Sequence, residues 1–276
     1  MTDFEAPLLL ALSIDATVPP RLEERGWHVL SGSIGYPYSV PANGRTAAVF
    51  DSSALPSGHA EADIVFLDLR ARHVQSEPKG RRLGHSNVGL YVEHRTPTID
   101  PRPVVAAQLT EPFEQILGHG GILIVFADRR VEQEFELWEE NSRHDVTRDT
   151  WAFLDCLAED HLDVTAISGR NIGVTSDGCR FSPVADVMRR YVEDMQFTCT
   201  VAPTVVNDLP WTPLAVNKYG TPVSGCFEVG EGLVFLLPQI GERMEPFLAD
   251  LLQQALPDVQ PRLFPNAAKG SWVHLS

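Results

Sequence analysis

Gly120-Gly121-Ile122-Leu123-Ile124-Val125-Phe126-Ala127-Asp128 is an apolar run that opens after two glycines and closes on an acid. Gly230-Glu231-Gly232-Leu233-Val234-Phe235-Leu236-Leu237-Pro238 repeats the pattern and closes on a breaker. Short, unalternating apolar runs of this kind read as strands buried on both faces of a mostly parallel sheet. In such sheets ligands bind at the carboxyl ends of the strands. Here those ends read Ala127-Asp128 and Leu237-Pro238-Gln239, with no nucleophile and no histidine.

Outward from these two strands the chain alternates. Pro7 to Leu12 reads as a strand, Pro19 to Gly26 as a short helix with Pro near its start and Gly at its end, and Trp27 to Leu30 as a second strand. This is the opening of a βαβ sheet. Asp63 to Leu69 is a third strand, and a helix after Pro103 runs to Leu117 with Pro112 as a point of break or restart. Ser31 to Ser57 reads mostly as loop with a short apolar strip at Ala47 to Asp51, and Val88 to Val92 is strand-like.

Val131 to Tyr191 is charged, and Phe135, Leu137, Trp138, Trp151, Phe153, Leu154 and Leu157 give it a helical reading. A hairpin around Ser176-Asp177-Gly178 and a helix from Pro183 to about Met195 complete the stretch. The expectation is a helical insertion or cap over residues 131–195 within a single domain of residues 1–276. Leu214 to Val216 and Val223 to Val229 flank the turn Lys218-Tyr219-Gly220-Thr221. A last helix puts Met244, Phe247, Leu248, Leu251, Leu252 and Ala255 on one face, Pro257 stops it, and the tail from Pro261 folds back on the body. The fold class is therefore α/β, a doubly wound, mostly parallel sheet with a helical insertion and a C-terminal β-hairpin plus helix.

Composition narrows the function. The chain has 276 residues, 43% of them hydrophobic, and a net charge of -15. A duplex-binding surface needs a basic face. The longest basic cluster is Lys79-Gly80-Arg81-Arg82, beside Arg70 and Arg72, so direct nucleic-acid binding is not expected and acidity points to solubility or a basic partner. The four cysteines, Cys156, Cys179, Cys199 and Cys226, include no C-x-x-C pair, and neither a secretory signal nor a membrane span is read. The expected setting is a reducing cytoplasm, with the cysteines in the core. Only three of the basic residues are lysines, which with abundant Ala, Asp and Pro suggests a GC-rich genome.

This layout resembles the class I glutamine-amidotransferase-like superfamily, in particular its divergent ThuA-like members. The resemblance rests on the opening strand-helix-Gly26-Trp27-His28-Val29, the acid-ended strand Asp63 to Asp68, the Gly120-Gly121 central strand, and the closing hairpin, Gly230-x-Gly232 turn, strand and helix. It implies a flavodoxin/amidotransferase-like sheet. The family's enzymes carry a cysteine on a tight elbow after the central strand, and the matching stretch here is Phe126-Ala127-Asp128-Arg129. They carry His-Pro-Glu at a late strand end, where this chain has Leu237-Pro238-Gln239. Thiol and base are both missing from the matched positions, so the resemblance implies a scaffold without amidotransferase chemistry.

Other chemistries read weakly. Cys156 and His161 are five apart on an expected helix and point to different sides. His59, His73, His85 and His94 with Asp63 or Asp68 lack metal-ligand spacing, so no metal and no cofactor is expected. Ser31-Gly32-Ser33-Ile34-Gly35 lacks the first glycine of a nucleophile elbow and reads as a loop or an anion-binding turn. The strand-end crevice is the default pocket, with Asp68 or Asp128 as a general base, Arg129 or Arg70 as an anion clamp, and Ser13, Asp15, Ser31 and Gln239 on its rim.

Two readings follow: a non-catalytic interaction subunit that binds another protein, belonging by analogy to a bacterial defence or regulatory assembly, or a small-molecule hydrolase or sensor using the crevice. A nucleic-acid mimic is a weaker third, motivated by charge alone.

Overall fold

The structure, a computed structural model, describes residues 7–12, 22–25, 27–32, 38–39, 47–48, 57–68, 111–127, 133–139, 142–148, 164–166, 172–175, 179–197, 199–201, 211–241 and 243–265. Its centre is a nine-stranded sheet. The strands are β1 (Leu9–Leu12), β2 (Val29–Gly32), β3 (Ile64–Asp68), β4 (Ile122–Ala127), β5 (Gly173–Val174), β6 (Met195–Gln196), β7 (Thr212–Val216), β8 (Pro222–Val229) and β9 (Gly232–Ile240). They lie in the order β5-β7-β8-β9-β4-β3-β1-β2, with β6 added to β9. Strands β2, β1, β3, β4 and β9 run parallel. Strands β8, β7 and β5 continue the sheet antiparallel, as does β6 beside β9. The protein is a mixed α/β fold.

Burial explains the unalternating runs. Leu9, Ile64, Ile122 and Leu233 share one register line and one face, and Leu10, Val65, Leu123 and Val234 share the next line on the other. All eight are at most 1% exposed. The first face packs against α2 (Ser182–Tyr191) and α3 (Met244–Asp250) in one core cluster. Helix α2 presents Val184, Ala185, Val187, Met188 and Tyr191 at helical spacing.

The loop into β4 is set by glycine. Residues 111–118 form helix α1. Gly120 follows it at φ 84°. The Gly120 N–H donates to Leu117 O at 2.9 Å and the Gly121 N–H to Ile116 O at 2.7 Å, the two bonds of a Schellman cap. A Cβ on Gly121 would lie 2.7 Å from Asp63 O and from Ile116 O, so the helix end can sit on the sheet only without one.

Three expectations are corrected. The first is the helical insertion over residues 131–195. Gln133–Glu139 and Ser142–Arg148 are instead antiparallel strands, with Phe135 opposite Val146 and Leu137 opposite His144. Glu134, Phe135, Glu136 and Leu137 alternate with a period of two, and that alternation outweighs the helical reading of Phe135, Leu137 and Trp138. Later in the same stretch, β5 and β6 belong to the main sheet, and α2 belongs to its core. The second is the local hairpin around Ser176. Its first arm, β5, pairs with β7 through Gly173↔Val216, 43 residues on in sequence (216 − 173).

The third is the stop at Pro257. After α3 the helix widens to a π turn, Leu251–Ala255, and resumes as α4 (Leu256–Val259). Leu256 N–H donates to Leu251 O, five residues back. The wider turn carries the chain past Pro257, which has no N–H to give. The readings at residues 88–92 and 151–157 fall outside the described residues.

Candidate functional site

Because five strands run parallel, β1, β2, β3, β4 and β9 all end on one edge, at Leu12, Gly32, Asp68, Ala127 and Ile240. The order reverses between β1 and β3, since β2 lies on one side of β1 and β3, β4 and β9 lie on the other. That is where a crevice opens in open α/β sheets. Of the expected rim, Asp68 and Gln239 come to this edge on β3 and β9, two strands apart, roughly 10 Å at the usual spacing. Ser31 lies on β2, level with Ala11, and is exposed. Ser13, Asp15, Arg70, Asp128 and Arg129 fall outside the described residues.

Gln239 does not line an open rim. It is 1% exposed, and its Nε2 donates to Phe126 O at 2.9 Å, across the gap where β4 and β9 end. The side chain ties two strand ends together. An amide can make this bond and a carboxylate cannot, because only the amide brings an N–H.

Beside it stands a network that the sequence reading missed. Asp194 follows α2, and Arg243 follows β9 at the head of α3. Arg243 Nη1 lies 3.0 Å from Asp194 Oδ2, and its guanidinium sits 4.4 Å from the centroid of the Tyr191 ring. The Tyr191 hydroxyl donates to Asp250 Oδ2 at 2.7 Å. Arg190 Nη1 lies 3.2 Å from the same oxygen, and Gln254 Nε2 donates to Asp250 Oδ1 at 2.8 Å. Burial, then the bond to Asp250, pushes the Tyr191 phenol above its ordinary range. Two guanidiniums meet two carboxylates here, so the network is balanced and holds α2 against α3 rather than offering a net charge to a ligand. Its partners lie up to 60 residues apart (250 − 190), and no local spacing signals them.

The cysteines and histidines assemble no catalytic pair among the described residues. Cys226 is fully buried on β8, and burial raises its thiol well above the ordinary range, which keeps it protonated. Cys179 packs against the same core. No group of three or more His, Cys, Asp or Glu that could hold a metal occurs among the described residues. Asp63, one of the residues weighed as a ligand, accepts the Leu8 N–H at 2.8 Å and so fixes the start of β1 to the start of β3. No helix among the described residues is long and apolar enough to cross a membrane.

No protein-family model matches the chain, and no curated protein matches it. Solved structures with likeness include an exo-β-1,4-mannosidase, Op5Man5, from Opitutaceae bacterium strain TAV5. It is 13% identical with a TM-score of 0.31, and the match covers 97% of this chain and 36% of the mannosidase. Another is the cytoplasmic protein STM3548 from Salmonella typhimurium, 10% identical with a TM-score of 0.34, covering 90% of this chain and 99% of that one. This chain spans about a third of the mannosidase's length. Likeness at these scores carries no argument about activity.

Proposed function

We propose that this protein is a non-catalytic interaction subunit, built on a doubly wound, amidotransferase-like scaffold and binding another protein in the cytoplasm. The observation that carries this reading is Gln239. At the strand end where the related enzymes hold an acid, this chain has an amide, buried and spent on the Phe126 carbonyl. The parallel order β2-β1-β3-β4-β9 supports the scaffold. The net charge of -15 favours a basic protein partner over nucleic acid. Membership of a bacterial defence or regulatory assembly remains an analogy within this proposal.

The test is affinity isolation of the tagged full chain from its native cells at moderate salt, followed by mass spectrometry. A protein recovered in fixed stoichiometry supports the reading. A solitary chain overturns it.

One observation favours a second reading, a small-molecule hydrolase or sensor. The sheet order reverses between β1 and β3, beside Asp68. On that reading Asp68→Ala abolishes the biological activity; on the first it leaves activity intact.

A further inference from the structure

We draw no further inference here: the strongest candidate, the side-chain cluster in which Cys179, just ahead of α2, packs against the core that holds the buried Cys226 of β8, carries nothing, because both thiols are free, burial keeps Cys226 protonated, and nothing in the structure brings the two sulfurs into the contact that thiol exchange requires.

Discussion

Gln239 lies near the end of β9 and Tyr191 at the end of α2, and each donates a hydrogen bond to a partner far away in sequence. Gln239→Glu replaces a buried donor by an acceptor facing the Phe126 carbonyl. It is expected to lower the unfolding free energy by about 2–4 kcal/mol, read from urea denaturation, without conferring hydrolytic activity. Tyr191 gives a pH test. Its folded phenol titrates above the ordinary tyrosine value of about 10, chiefly because it is buried and then because it donates to Asp250. The neutral phenol is the stabilising form, so its contribution is complete below the unfolded value and is lost as pH rises through the folded one. Between about pH 9 and about pH 11, wild type should therefore lose stability more steeply than Tyr191→Phe, in urea midpoints measured across that range. At neutral pH Tyr191→Phe should cost about 1 kcal/mol, since Arg190 and Gln254 still hold the Asp250 carboxylate.

At the scale of elements, two nearby glycines separate propensity from packing. Gly118 lies in helix α1 with nothing within 4 Å of an added Cβ, so Gly118→Ala should stabilise the protein by about 0.5–1 kcal/mol. Gly121 lies three residues on, and there a Cβ meets backbone oxygens of two elements that cannot yield, so Gly121→Ala should cost about 2–3 kcal/mol. Thermal unfolding of the pair checks both signs.

The elements the sequence made legible were those whose pattern has a single reading. The runs at Leu9, Ile64, Ile122 and Leu233 are short and bounded by breakers or acids, which favours buried strands over helix, and Gly120-Gly121 marks the helix end and the close approach. Residues 133–139 were misread because Phe135, Leu137 and Trp138 suit a helix and an alternating strand over so short a length. The network around Tyr191 was invisible for a different reason. Arg243 and Asp194 are 49 residues apart and become neighbours only when β6 joins β9, while Gln239 and Phe126 are 113 apart. Asp68 closes β3 and Gln239 lies one residue before the end of β9, and nothing in the residues foretold that Gln239 faces a carbonyl rather than a crevice.

For the whole molecule, the parallel strands bring Asp68, Ala127 and Gln239 to one edge. On the proposal made above, this edge serves docking, since its Gln239 amide is held by the Phe126 carbonyl. The most direct test of that claim is the native mass of the tagged full chain purified from its own cells. The account predicts a complex of fixed composition containing a second protein, heavier than the 30.5 kDa chain by a mass that is not a multiple of it. A species of 30.5 kDa, or an integral multiple of it, would contradict the account.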